Sequence, residues 1–223
     1  MHIASPPMPA KSESTMPKQT MIESPRLILR AAQPEDAEPL HEAFSDPKVM
    51  RYWSELPHTF ERTQEWLRGM ISSPQNGTTD FVIVLKDSSR VIGKIGIFYP
   101  RPSNEIGFLL ARKVWGKGFA KEALVATLEH LFSLERKDCP APSSEQSPGP
   151  GYSCLTISEF HGRWAYSSIT ADTDPRNEAS IGLLKSCGFV ESGVVKNTLI
   201  LGEEWCDSLY LRLAREEWME RRR

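Results

Sequence analysis

Apolar runs and polar segments alternate along the first hundred residues and predict both strands and helices. Apolar runs at 26–31, 80–86 and 91–99 indicate strands, and the polar turn between the last two indicates a hairpin. Helical spacing begins near Pro34, which suits the first turn of a helix, and again after Thr59, whose hydroxyl can cap one. Strands and helices are therefore interleaved from the start of the chain.

The second half of the chain continues this mixture. A strand at 106–110 is followed by an amphipathic helix that extends to about residue 134. A further strand at 164–172 and a helix at 177–187 come next, and then two final strands. The final strands are predicted at 190–195 and 208–214.

Composition separates one domain from two segments that do not fit it. Residues 1–20 are rich in Ser, Pro, Lys and Thr, and we interpret them as a disordered leader. Residues 135–160 include a Pro/Ser/Gly-rich linker, so we expect a flexible insertion there. The rest of the chain, 21–220, has the length of a single domain.

Charge and hydropathy exclude several classes of partner. The 223-residue chain has a formal net charge of −2, whereas binding to nucleic acid favours a basic surface. No apolar run approaches the ~20 residues of a membrane span, and the N-terminus lacks the apolar core of a signal peptide. The four cysteines are scattered without a C-x-x-C pair, which predicts neither a metal site nor disulfides. We expect a cytoplasmic protein, with the nucleus as an alternative.

The most informative segment is the turn between the strand at 106–110 and the helix that follows. Gly116 and Gly118 allow the backbone to turn and to approach an anion closely, and the first amides of a helix have no partner within it. Three lysines add positive charge around the turn: Lys113, Lys117 and Lys121. The arrangement is typical of a phosphate site, although an ordinary strand-to-helix turn would look similar.

Two common phosphate motifs do not fit this turn. A Walker loop needs Ser or Thr after Gly-Lys, and here Gly118 follows Lys117. A dinucleotide fingerprint needs a third glycine, and Lys121 occupies that place. A nucleotide-binding protein is therefore disfavoured.

The turn resembles the pyrophosphate loop of GNAT superfamily acetyltransferases, [QR]-x-x-G-x-[GA], with Lys113 in place of Gln or Arg. Residues 115–124, Trp-Gly-Lys-Gly-Phe-Ala-Lys-Glu-Ala-Leu, are similar to the RimJ/RimL-like branch of that family. The resemblance extends over about 22–219. Five further segments match the branch in order: 24–30, 34–38, 91–97, 173–189 and 205–218.

The resemblance implies an α+β (α/β GNAT-like) fold with a mixed, mostly antiparallel central sheet of about seven strands, splayed cofactor strands and flanking helices. It also implies acetyl-CoA as cosubstrate and a primary amine as acceptor, either a protein N-terminus or a small amine. A catalytically silent acyl-CoA-binding module is the alternative. Both a monomer and a homodimer are compatible with the sequence.

The same resemblance assigns cofactor contacts. The glycine turn would hold the pyrophosphate, and the preceding strand would pair with the pantetheine arm. A free amide of Leu109 or Leu110 would bind the thioester oxygen. Asn177 would contact the pantetheine region, and it could equally cap the next helix. The predicted cofactor-binding residues are Phe108, Leu109, Leu110, Trp115, Gly116, Lys117, Gly118, Phe119, Ala120, Lys121 and Asn177.

Proton transfer is the less defined part of the prediction. Glu105 begins the cofactor strand, where acidic residues serve in this branch, and it is the candidate base; otherwise it is an exposed carboxylate at a strand edge. Many family members carry a tyrosine acid where this chain has Leu184. Water or solvent would then reprotonate the thiolate, and Tyr210 is a further candidate for that role.

The acceptor contacts are predicted from the segment after the first helix and from the final hairpin. Tyr52, Trp53 and Trp205 are candidate substrate contacts, although Trp205 could be a core aromatic instead. Deprotonating an α-amine of pKa ~8 at pH 7 costs about 1.4 kcal/mol, against roughly 4.6 for a lysine of pKa ~10.4. The energetics favour an α-amine or another amine of low pKa.

Overall fold

The computed structural model describes residues 20–72, 79–99, 104–135 and 166–223. Apart from residues 20 and 135, the predicted leader at 1–20 and the predicted insertion at 135–160 lie outside these ranges. The described residues form one central sheet with helices on both of its faces.

The sheet has eight described strands in the order β1-β2-β3-β4-β5-β6-β8-β7. All neighbouring pairs are antiparallel except β5 and β6, which confirms the predicted mixed, mostly antiparallel sheet. The strands are β1 (Ile22–Glu23), β2 (Leu27–Ala31), β3 (Thr79–Leu85), β4 (Val91–Tyr99), β5 (Glu105–Leu110), β6 (Ser168–Thr173), β7 (Val190–Leu201) and β8 (Glu204–Ala214).

The final hairpin is longer than the sequence predicts. β7 continues to Leu201, six residues beyond the predicted end at 195, and β8 begins at Glu204 instead of residue 208. β7 lies at the edge of the sheet, and almost all of its residues are exposed. Because neither face of the extension is buried, its sequence shows no alternation of apolar and polar residues from which a strand could be predicted. Backbone pairing with β8, including Leu199 opposite Cys206, holds the extension instead.

Six α-helices of the described residues surround the sheet. The predicted helix from Pro34 begins with one 3-10 turn, Pro34–Asp36, before the α-helical part. Asp36 fixes this start, because its carboxylate accepts hydrogen bonds from the Gln33 amide and from both terminal nitrogens of Arg30. The helices are α1 (Ala37–Phe44), α2 (Pro47–Met50), α3 (Phe60–Ser72), α4 (Phe119–Ser133), α5 (Glu178–Ser186) and α6 (Arg215–Glu220).

Two cores lie on opposite faces of the sheet, and β3 serves both. Phe81 and Ile83 belong to the core that includes α4, whereas Val82 and Val84 belong to the core that includes α1 and α3. Because alternate residues of a strand point to opposite faces, a strand covered on both sides is apolar throughout. This explains why β3 appears in the sequence as an unbroken apolar run.

The sheet is closed on one side of β5 and open on the other. β4 approaches β5 so closely that a Cβ on Gly93 would lie 2.1 Å from the Leu109 carbonyl oxygen, which only glycine avoids. On the other side, β5 pairs with β6 at a single position, Glu105 opposite Thr170. The two strands then diverge, which produces the predicted splay.

Candidate active site

The glycine turn at the end of the splay has the geometry of an anion site. Gly116 and Gly118 both adopt left-handed backbone conformations, with φ of 72° and 79°. Gly118 is the N-cap of α4, a helix of 15 residues, whose first amides are free of intrahelical partners. A Cβ on Gly116 would meet no atom of the described residues within 4 Å, so the backbone at this glycine faces open space among them. A pyrophosphate could approach it there.

The end of β5 presents one particular amide to the splay. The Ala111 amide donates to the Ile92 carbonyl of β4 at 2.8 Å. Since amides alternate between the two edges of a strand, Leu109 also faces β4 and Leu110 faces the splay. The indole nitrogen of Trp115 donates to the Leu110 carbonyl at 2.8 Å. Of the two predicted donors, Leu110 therefore has the accessible position.

The other predicted cofactor residues occupy varied positions around the splay. Phe108, Phe119 and Ala120 are partly buried and pack against the core that includes α4. Asn177 accepts a hydrogen bond from the Ser180 amide at 3.2 Å and so caps α5. The capping role predicted for Asn177 is present, and its contact with a ligand stays a prediction.

A cavity of about 560 Å³ opens beside the start of β5. Tyr52 and Trp53 line it, and Glu105 lies in the same wall as Asp172 of β6. Trp205 does not line it, because the neighbouring Cys206 points inwards and Trp205 is 57% exposed on the other face of the hairpin. The structure thus brings Tyr52, Trp53 and Glu105 together and leaves Trp205 outside.

Glu105 and Asp172 form a pair of partly buried acidic groups. Burial raises the pKa of Glu105 to about 7, and repulsion from the Asp172 carboxylate adds to this rise. Burial also raises the pKa of Asp172 to about 6, against a hydrogen bond from Ser208 at 2.9 Å that favours the ionised form. Glu105 is therefore not the exposed strand-edge carboxylate considered as its alternative.

The remaining acids of the cavity are neutralised by nearby cations. Three ion pairs account for them: Asp174 with Arg176 at 2.6 Å, Asp207 with Lys196 at 2.6 Å, and Glu55 with Arg62 at 2.8 Å. Among the described residues, no cation forms such a pair with Glu105 or Asp172. These two carboxyls are therefore the acids of the lining that are left to attract a cation.

A tyrosine is also present at this site, although not at the usual family position. Leu184 is only 1% exposed and belongs to the hydrophobic core. Tyr210 of β8 lines the cavity with Glu105 and lies opposite Asp172 in the strand register. Burial and the charge of Asp172 raise the pKa of its phenol, so it holds its proton at neutral pH.

Sequence reasoning missed Asp172, Ser208 and Trp66 as parts of the cavity. One signal was available for Asp172, since a carboxylate at the end of a predicted strand is costly to bury unless a site requires it. The other two give no local signal, because β8 and α3 bring them to the cavity from distant parts of the chain.

Comparison with known proteins identifies the class. The acetyltransferase (GNAT) domain family matches residues 26–190, which is most of the chain. An uncharacterized N-acetyltransferase p20 of Bacillus licheniformis is 29% identical over 177 residues, covering 77% of this chain and 83% of the relative. The spermidine N(1)-acetyltransferase of Vibrio cholerae is 22% identical and covers 88% of this chain and 97% of the relative.

Solved structures give the same result. An acetyltransferase of the GNAT family from Bacillus anthracis superposes with a TM-score of 0.68 at 25% identity, covering 89% of this chain and all of that one. RimL, an α-N-protein acetyltransferase for ribosomal protein L7/L12, superposes with a TM-score of 0.67 at 17% identity, covering 88% of this chain and 94% of RimL.

The chain belongs to the GNAT family of acetyltransferases, and RimL is among the proteins that share its fold. It is an N-acetyltransferase. Within the described ranges, no helix is both long and apolar enough to cross a bilayer.

Proposed function

We propose that this protein transfers an acetyl group from acetyl-CoA to a primary amine by direct attack of the amine on the thioester. The observation that carries the proposal is Glu105, a partly buried carboxyl with a pKa of about 7 between the acceptor cavity and the splay of β5 and β6. A general base is most effective when its pKa lies near the working pH.

The cofactor residues fit the predicted ligand. The open backbone of Gly116 and the first amides of α4 suit a pyrophosphate, and the unpaired edge of β5 suits the amides of a pantetheine arm. When bound, acetyl-CoA supplies the acetyl group as an activated thioester. The Leu110 amide is the donor available to stabilise negative charge on the thioester oxygen.

The acceptor would enter the cavity as an ammonium ion, attracted by the two unpaired carboxyls. Glu105 then takes one proton from the ammonium, and the amine nitrogen forms its bond to the carbonyl carbon. The nitrogen releases its second proton to solvent as the thiolate leaves with the electrons of the sulfur–carbon bond. Among the candidate acceptors, an α-amine has the pKa closest to that of Glu105. Tyr210 is the candidate donor of a proton to the thiolate, with solvent as the alternative.

The acceptor class remains broad in this proposal: a protein N-terminus or a small amine. Relatives of the chain include a spermidine acetyltransferase and the ribosomal acetyltransferase RimL, so both kinds of acceptor occur among them. The place of action would be the cytoplasm, and either a monomer or a homodimer would suffice.

The test is thiol release from acetyl-CoA in the presence of a panel of polyamines, amino acids, arylalkylamines and N-terminal peptides. Steady, amine-dependent turnover with formation of an N-acetyl product, identified by mass spectrometry, is the expected result. Coenzyme A binding without turnover on any amine would instead indicate an acyl-CoA-binding module. Glu105→Gln provides the control with strongly reduced turnover.

A further inference from the structure

Arg26, at the entry to β2, makes an unusual set of contacts with the glycine turn. One terminal nitrogen of its guanidinium donates to the Lys117 carbonyl at 3.0 Å. The guanidinium carbon lies 4.4 Å above the centre of the Phe119 ring. A single side chain from the first strand region therefore touches both sides of Gly118, although about ninety residues separate them in sequence.

Glu122, in the first turn of α4, holds Arg26 in this position. Its carboxylate accepts from the Arg26 side chain at 2.6 Å, from the Arg26 amide at 2.7 Å and from the Ser24 hydroxyl at 2.8 Å. Burial opposes the charge on Glu122, yet these hydrogen bonds keep its pKa below the usual range. The side chain of Glu122 is only 14% exposed, so the network is anchored on the protein side.

Peptide geometry links these contacts to anion binding. The carbonyl of one residue and the amide of the next point in opposite directions across a trans peptide. A Lys117 carbonyl fixed towards Arg26 therefore directs the Gly118 amide away from Arg26. Gly118 has φ of 79° and no side chain, so its peptide orientation needs an external restraint.

We propose that Arg26 is a positioning residue for the pyrophosphate loop, acting with Glu122 to set the orientation of the Lys117–Gly118 peptide. The inference rests on the proposed coenzyme A site. It assigns a role in cofactor affinity to the Ser24-Pro-Arg26 segment, whose side chains point to α4 and not to the acceptor cavity.

The test measures coenzyme A dissociation constants by calorimetry for Arg26→Met, Arg26→Lys and Glu122→Gln. Each variant should bind about tenfold more weakly, the loss expected when one charge-assisted hydrogen bond to the ligand is misdirected. Lys86→Met is the matched control. It removes the same charge from a neighbouring residue, whose ammonium pairs with Glu23 and does not touch the loop.

Glu122→Gln separates positioning from simple charge. Removing a carboxylate near an anion site should strengthen anion binding if only charge matters, whereas a positioning role predicts weaker binding. Unchanged or tighter binding by Glu122→Gln, or wild-type affinity in Arg26→Met, would overturn the inference. Failure of the wild-type protein itself to bind coenzyme A would instead overturn the proposed function.

A second readout guards against general distortion. S-acetylpantetheine carries the reactive thioester but lacks the pyrophosphate. Arg26→Met should raise KM for acetyl-CoA about tenfold with little change in kcat, and should leave kcat/KM for S-acetylpantetheine near the wild-type value. Equal losses with both donors would show that the variant disturbs the fold and would contradict a specific role at the loop.

Discussion

The two halves of the proposed site, one for the cofactor and one for the acceptor, are built in different ways. The cofactor half is made of backbone from one continuous segment, 105–121, in which β5, the glycine turn and the start of α4 follow one another. The acceptor half is made of side chains from separate segments, including Tyr52, Glu105, Asp172 and Tyr210. A pyrophosphate is the same in every reaction, so a fixed backbone cradle suits it, whereas acceptor chemistry depends on which side chains meet.

This difference makes the two halves separable by mutation. A change in the glycine turn should affect coenzyme A affinity and leave the pH dependence of the reaction intact. A change in the paired carboxyls should do the opposite. Four measurements test this division, in order of decreasing effect.

Glu105→Gln should lower kcat by about 10²-fold at pH 7, because the amide keeps the shape of the side chain but cannot accept a proton. The dissociation constant for coenzyme A should change little. The defect should shrink as pH rises and free amine becomes abundant. Full kcat at pH 7 in the variant would mean that solvent, and not Glu105, deprotonates the amine.

Gly116→Val should weaken coenzyme A binding by tenfold or more. A valine would fill the space in front of the backbone and would also be strained at φ of 72°. Gly202→Val is the matched control, since Gly202 also has positive φ, at 63°, but lies at the tip of the β7–β8 hairpin. Equal losses of affinity in the two variants would mean that strain, and not a blocked anion site, is responsible.

Asp172→Asn should shift the acid limb of the pH profile of kcat/KM to lower pH by about one unit or less. Removing the neighbouring negative charge makes ionisation of Glu105 easier, and burial still keeps its pKa above the normal range. The asparagine can still accept the hydrogen bond from Ser208. An unmoved acid limb, measured with saturating acetyl-CoA, would show that the two carboxyls do not interact.

Stability should also report on Glu105, and this measurement comes last because it bears least directly on the division between the two halves. Its pKa is 4.5 in the unfolded chain and about 7 in the folded protein, so the folded state binds more protons between these values. The free energy of unfolding should therefore fall as pH rises from about 4.5 to 7. Glu105→Gln should reduce that fall by about 1–3 kcal/mol, measured by urea denaturation at pH 5 and pH 8. An identical fall in both proteins would contradict the raised pKa.

The sequence alone determined the elements that depend on local signals. The spacing of apolar residues predicted most strands and helices. The glycines of the turn indicated a candidate anion site, because a left-handed backbone and a helix N-terminus are specified by adjacent residues. The extra strand Ile22–Glu23 and the helix Pro47–Met50 were missed, because two to four residues carry too little periodicity.

Only the tertiary structure decided which side chains meet. β6 places Asp172 beside Glu105, and this pairing, together with burial, sets a pKa that no local pattern reveals. The tertiary structure also decided that Trp205 lies outside the cavity. The sequence predicted that β8 begins at residue 208, so Trp205 lay before the predicted strand and the face to which it points could not be assigned. Strand register and burial are properties of the whole sheet, and they determine the chemistry of the acceptor half.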